Sequence, residues 1–163
     1  MGFIRVKRIK GNRYAYAVEN KWKKDKGPRQ RVKEYLGKAI SFDIVNEIVI
    51  PIKEEESRRE IVQRLASNEL IKRGFAHNGE NLEKCGISFN EATMRFFSGG
   101  KEIRIAIEMN DGFLCSYMLE RILLFKVKPD EDEREAGTRL AKLFVGSGLK
   151  PDDGSFVRFY QLS

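Results

Sequence analysis

Residues 3–9 read FIRVKRI, residues 13–22 read RYAYAVENKW and residues 29–36 read RQRVKEYL. Each run is rich in β-branched and aromatic residues, and each is bounded by turn formers. Gly11-Asn12 follows the first, the polar loop Lys23-Lys24-Asp25-Lys26-Gly27-Pro28 follows the second, and Gly37 ends the third. The pattern predicts a three-stranded antiparallel meander with the second strand in the middle.

Period-2 alternation predicts two faces for this sheet. One carries Ile4, Val6, Tyr14, Tyr16, Val18, Trp22, Val32 and Leu36. The other carries Arg5, Lys7, Arg13, Ala15, Ala17, Lys21, Arg29, Arg31 and Lys33, with Glu19 as the main exception and Phe3, Ile9 and Tyr35 towards the strand ends. So small a sheet must bury one face, and the apolar set is expected to do so. The basic set is then expected to meet a partner, with Ala15 and Ala17 letting the backbone come close. Exposed aromatics on a sheet can stack unpaired bases. Tyr14, Tyr16 and Trp22 are assigned instead to the packing face, and Trp22→Ala is expected to cost stability more than binding.

The charge distribution points the same way. Of 31 basic and 24 acidic residues, 13 and 3 lie between Met1 and Ala39, hence +10; the remaining 18 and 21 give −3. A cationic excess confined to the first quarter of the chain is the electrostatic footprint of a module that meets a polyanion. The candidate nucleic-acid contacts are Arg5, Lys7, Arg13, Lys21, Lys23, Lys24, Arg29, Arg31 and Lys33. A two-stranded basic ribbon fits the DNA major groove, so double-stranded DNA is the expected partner ahead of RNA. A symmetric homodimer would suit two DNA half-sites.

Length and composition bound the rest. A chain of 163 residues suits one domain with a small appendage; the expected division is 1–39 and 40–163. With 41% hydrophobic and 34% charged residues the bulk is expected to be globular. No apolar run approaches a membrane span, and the alternation of basic and apolar residues from Met1 to Lys10 is unlike a secretory signal. A soluble, cytoplasmic protein is expected. Gln is scarce, at three residues, beside abundant Lys, Arg and Glu, a composition that leans towards a thermophile.

Beyond the meander, Ser41 to Ile52 reads as a connecting strand, with Pro51 against a central position. Glu54-Glu55-Glu56 opens an expected helix with Ile61, Val62, Leu65, Ala66 and Leu70 as its apolar stripe, stopped at Lys72-Arg73-Gly74. Strands are expected at 82–89, 92–97 and 102–109, the last following a Gly99-Gly100 turn. Helices are expected over 117–127 and after Pro129-Asp130-Glu131, and Ser155 to Leu162 reads as a final strand. The class is α+β: a small N-terminal three-stranded antiparallel sheet followed by a mixed α+β domain.

The frame Ile4-Arg5-Val6, Lys10-Gly11, Tyr14-Ala15-Tyr16, Val18-Glu19, Trp22, Arg29-Gln30-Arg31 and Tyr35-Leu36-Gly37 resembles the amino-terminal segment of certain insertion-sequence transposases. Similar segments open small uncharacterised archaeal proteins. The resemblance covers about 36 residues and implies DNA binding. In the transposases a three-acid, RNase H-like catalytic domain is expected to follow. Here the first strand of the corresponding run offers Glu83 in place of Asp, and Asp130 to Glu135 reads as a helix start rather than a two-metal site. The resemblance therefore implies DNA binding without transposition; a transposase- or nuclease-related remnant is the weaker alternative, and a protein-interaction module is another.

No motif for catalysis or for a cofactor emerges. His77 stands in a polar loop without a partner for general-base work. Cys85 and Cys115 lie in apolar surroundings and are expected to be buried, inert thiols. Gly99-Gly100-Lys101 lacks the glycine spacing and hydroxyl of a phosphate-binding loop. The chain is read as a binding protein, not an enzyme, with no cofactor and no metal.

Overall fold

Lys10 and Gly11 are both left-handed, at φ 49° and 80°, which makes a two-residue turn whose twist matches the strands it joins. This computed structural model describes residues 2–47 and 49–163. In chain order it contains β1 (Gly2–Ile9), β2 (Asn12–Lys23), β3 (Gly27–Ser41), α1 (Arg58–Lys72), β4 (Ala76–Asn78), β5 (Asn81–Lys84), β6 (Ile87–Asn90) and β7 (Arg95–Ser98). There follow β8 (Lys101–Ile103), β9 (Ile105–Met109), β10 (Gly112–Leu114), α2 (Ser116–Leu123), α3 (Glu133–Ser147) and α4 (Asp153–Gln161). The class is α+β, and the N-terminal meander β1-β2-β3 is present.

The meander does not end at Gly37. β3 continues to Ser41, and Lys38 to Ser41 pair in parallel with Ile105 to Glu108 of β9. The result is a five-stranded mixed sheet of order β1-β2-β3-β9-β10, which runs across the expected 39/40 division. The strand expected over 102–109 breaks at Arg104. Its first part, β8, closes a second sheet, the antiparallel meander β4-β5-β6-β7-β8. Beyond Ser41 the expected connecting strand is irregular chain, with Ile48 outside the described residues.

Two packing layers follow. On one side of the first sheet Ala15, Ala17, Leu36, Ala39 and Ala106 lie under Cys115, Met118 and Tyr117. Four alanines leave room for a helix to sit close to the strands, and α2 fills it. On the other side of β9, Ile105, Ile107 and Met109 join the main core, built from Leu65 and Leu70 of α1, Phe89 and Phe96 of the second sheet, and Leu140 and Phe144 of α3. This second layer covers the β9 half of the sheet. It also takes in Ile40 at the end of β3, and leaves the corresponding side of β1, β2 and the rest of β3 without a covering element among the described residues.

The helices start where local chemistry allows. Ser57 caps α1 in a reciprocal box with Glu60, so the acids at 54–56 precede the helix; Glu56 instead accepts from buried Arg64 at 2.8 Å. Asp132 caps α3 through the Arg134 and Glu135 amides. The expected last strand is α4. Asp152 caps it through the Ser155 amide, and the helical spacing of Phe156 and Phe159 places both rings against Phe144, at 6.0 and 5.4 Å. The apparent alternation of this short segment gives way to a strong cap and a waiting apolar surface. No helix among the described residues is long and apolar enough to cross a membrane.

Candidate nucleic-acid interface

The Lys10-Gly11 turn corrects the expected faces of the first sheet. A two-residue turn makes odd-numbered residues of β1 face even-numbered residues of β2: Arg5 opposes Tyr16, Lys7 opposes Tyr14, Ile4 opposes Ala17 and Val6 opposes Ala15. Directly opposed residues share a face. Arg5 and Lys7 therefore stand with the tyrosines, and Ile4 and Val6 with the alanines. The alanine face is the covered one, so Ala15 and Ala17 are core residues and offer no approach for a partner. Tyr14, Tyr16 and Trp22 are on the open face, and Trp22 is 76% exposed.

Between β2 and β3 the expected sorting largely holds. Lys21 opposes Arg29, Glu19 opposes Arg31 and Val18 opposes Val32. Two register slips, beside Tyr16 and Val18, leave Leu36 and Lys33 as extra residues on β3. Such bulges add twist, and here Leu36 turns into the alanine core instead of lying with Val32. Lys33 meets Glu19 on the covered side at 3.1 Å.

The nine candidate cations thus divide into three groups. Arg5 and Lys7 lie on the open tyrosine face. Arg13 is held at 2.7 Å by Glu108 of β9, and Lys21 and Lys33 share Glu19, at 3.9 and 3.1 Å. The Lys33 hydrogen bond leads in holding the Glu19 carboxyl below its ordinary value. Lys23, Lys24, Arg29 and Arg31 are exposed and, among the described residues, form no ion pair.

Three of these last four, Lys23, Lys24 and Arg29, belong to a feature that strand length creates, and Arg31 stands at its base. β1 pairs with β2 only as far as Glu19, opposite Gly2. From Asn20 to Gln30 the chain continues as a hairpin paired only with itself, through Lys21↔Arg29, Trp22↔Pro28 and Lys23↔Gly27. Its tip closes with Lys26 donating to the Lys23 carbonyl at 3.2 Å and a left-handed Gly27 at φ 69°. At about 3.4 Å per pair the free arm reaches roughly 14 Å. One of its faces presents Lys21, Lys23 and Arg29, with Arg31 at its base opposite Glu19; the tip adds Lys24 and Lys26, and Asp25 is the only acid between Asn20 and Gln30. The basic runs were legible in sequence; the arm was not, because it depends on β1 being shorter than its partners.

On the helix side a cleft of about 890 Å³ opens between the Gly2–Ile4 end of β1 and the helices α2 and α3. Ile4, Phe113, Tyr117, Met118 and Leu143 line it, with Arg121 and Lys142 among its cations.

Other sequence candidates lie apart. His77 stands on β4, exposed, with Nδ1 3.4 Å from Glu91. Cys115 is buried, and desolvation pushes its thiol up to about 12. Cys85 is exposed, contrary to expectation, because it occupies the turn between β5 and β6 at φ 51°. Glu83 accepts from Asn78 and Ser88, and Asp132 is engaged as a helix cap. Among the described residues no group of three or more His, Cys, Asp and Glu side chains gathers to hold a metal ion. No protein-family model, curated protein or solved structure matches the chain.

Proposed function

We propose that the protein binds double-stranded DNA by placing the β2–β3 arm in the major groove. The observation that carries this reading is the free hairpin from Asn20 to Gln30, with Lys21, Lys23 and Arg29 along one face and Arg31 at its base. A two-stranded ribbon fits a groove about 12 Å wide and 8.5 Å deep, and the arm is long enough to reach its floor. Lys23, Lys24 and Lys26 would meet phosphates beside the groove, and Arg29 and Arg31 have the forked donors that read guanine edges. The deep, narrow major groove of A-form RNA does not admit such a ribbon, which favours DNA. The resemblance of Phe3 to Lys38 to a transposase amino-terminal segment supports the same reading.

The test is fluorescence anisotropy on labelled duplex DNA across a range of salt. Each cation taken away from a phosphate should flatten the slope of log affinity against log salt by about one unit. The exposed triple variant Lys23→Ala, Lys24→Ala, Lys26→Ala should therefore weaken duplex binding and lower that slope by up to about three. An unchanged slope removes the arm from the interface.

A second reading, a protein-interaction module, is favoured by the cleft beside β1. β1 is the terminal strand of its sheet, and an extended segment of a partner could pair with its free edge while setting apolar side chains into the cleft. Weak, non-saturating duplex binding together with saturable capture of a protein segment would favour it.

A further inference from the structure

The open face of the first sheet is chemically unlike the arm's basic face. Tyr14 and Tyr16 rise from β2 on either side of Tyr35 from β3, with ring centroids 6.4 and 5.4 Å from that of Tyr35. The Lys7 ammonium lies over the Tyr16 ring, 5.1 Å from its centroid. Lys38 opposes Tyr14 across the ladder. Arg5 opposes Tyr16 and donates to the Gln30 side chain. Trp22 and Val32 extend the face along the arm, 76% and 45% exposed.

The acids of β1, β2 and β3 do not reach this face. Glu19 is tied to Lys21 and Lys33 on the other side, and Glu34 opposes Ala17. The face thus combines three clustered phenol rings, an exposed indole and three cations. A surface meant for the core would not carry Arg5, Lys7 and Lys38. A surface meant only for water would not expose so much aromatic area, since large apolar surface left open marks a recognition site.

We infer that this tyrosine face binds unpaired bases of a single-stranded nucleic acid. Bases stack on the rings, and Arg5, Lys7 and Lys38 neutralise the phosphates that run beside them. Aromatic rings interleaved with cations on a sheet match this ligand in both components, and the recognition tolerates sequence because every base has a π-face. An acidic protein segment would use the cations and leave the rings idle. The site stands on the opposite side of the sheet from the arm's cations and does not depend on the duplex reading.

The experiment compares three labelled ligands on the full chain at fixed salt: an oligothymidylate, an abasic oligonucleotide with the same number of phosphates, and a duplex. Oligothymidylate should bind well ahead of the abasic strand. Tyr16→Ala and Tyr35→Ala should each weaken oligothymidylate binding by about five- to a hundredfold, erase its advantage over the abasic strand and leave the duplex unaffected. Lys23→Ala, Lys24→Ala, Lys26→Ala should preserve that advantage, so failure of the duplex reading shows in the salt slope and failure of this one in the comparison of bases with no bases. Equal affinity of the unsubstituted protein for the two strands overturns the inference, and needs no variant to fold. Unchanged affinity in folded Tyr35→Ala, or competition by polyglutamate as effective as by oligothymidylate, overturns it as well.

Discussion

Gly37 of β3 lies directly against the Arg104 peptide, so closely that a Cβ on Gly37 would overlap the Arg104 carbonyl and stand 2.6 Å from the Ile105 nitrogen. Gly37 also has φ 106°, a conformation L side chains rarely adopt. This contact is where the N-terminal meander joins the rest of the chain. It coincides with the break between β8 and β9, and Arg104 reinforces it by donating to the Tyr35 carbonyl at 3.0 Å.

Gly37→Ala should therefore destabilise the fold beyond the usual cost of an alanine in a turn. The backbone conformation alone costs about 1–3 kcal/mol, and the overlap is with backbone atoms that cannot swing away. Urea denaturation measures the loss. Because the contact fixes β3 against β9, amide exchange should accelerate at Lys38 to Ser41. A variant of unchanged stability would mean that the sheet tolerates separation at this point.

Much of this architecture was readable in the residues, and the failures have specific causes. The β1–β2–β3 meander, the stripe of α1 and the Gly99-Gly100 hairpin follow from periodicity and turn chemistry. The faces of β1 did not, because tyrosines counted as apolar outweighed the parity of a two-residue turn. Lys10-Gly11 contained the correction, since a turn of that length cannot place Ile4 and Tyr16 on one side. The β3–β9 pairing joins residues more than 60 apart and leaves no local signal. The arm depends instead on β1 ending short of β2 and β3, and the tyrosine face on the parity of the Lys10-Gly11 turn.

Trp22→Ala should leave stability within about 0.5 kcal/mol of the unsubstituted protein, in contrast to the loss expected of a packing residue. Trp22 opposes Pro28 on the free arm, 76% exposed, and touches no core. Thermal denaturation followed in the far ultraviolet, which does not rely on the lost indole, measures the effect. A loss of about 3 kcal/mol or more, in the range for truncating a buried aromatic, would mean that the arm folds back onto the body.

Arg64 and Glu56 form a buried pair, 8% and 4% exposed, with Arg64 also donating to Ser155 at 2.6 Å. The pair ties α1 to the start of α4. Arg64→Ala strands the Glu56 carboxylate without its partner and should cost about 3–5 kcal/mol. The double variant Glu56→Leu, Arg64→Met removes both charges and should recover most of that loss, because apolar residues of similar volume replace such pairs at little cost. Ser155 keeps its bond to Asp152 at 2.5 Å, so the double variant leaves that hydroxyl satisfied. Equal destabilisation in the single and double variants would show that shape, not the stranded charge, sets the cost.

Glu131, just before α3, sets a pH dependence that can be worked out in sign. The Arg139 guanidinium donates to both of its carboxyl oxygens, at 2.8 and 2.6 Å, and the Lys128 amide adds a third bond. Led by Arg139, these contacts hold the Glu131 carboxyl down at about 2. In the unfolded chain it titrates near the ordinary glutamate value of about 4.3. A carboxyl whose folded value is depressed contributes stability that is complete above the unfolded value and disappears as pH falls through the folded one. Its contribution is therefore whole at neutral pH, declines below about 4.3 and is gone below about 2. Glu131→Gln should lower the thermal midpoint at pH 7, and the difference from the unsubstituted protein should shrink through that window. Carbon NMR of the Glu131 carboxyl should show its inflection near 2. Arg139 also donates to the Lys126 carbonyl and lies 4.3 Å from the Phe125 ring centroid, contacts that survive in the glutamine variant. A difference in midpoint that stayed constant from pH 7 to pH 2 would assign the effect of the substitution to packing around Arg139 and not to the charge on Glu131.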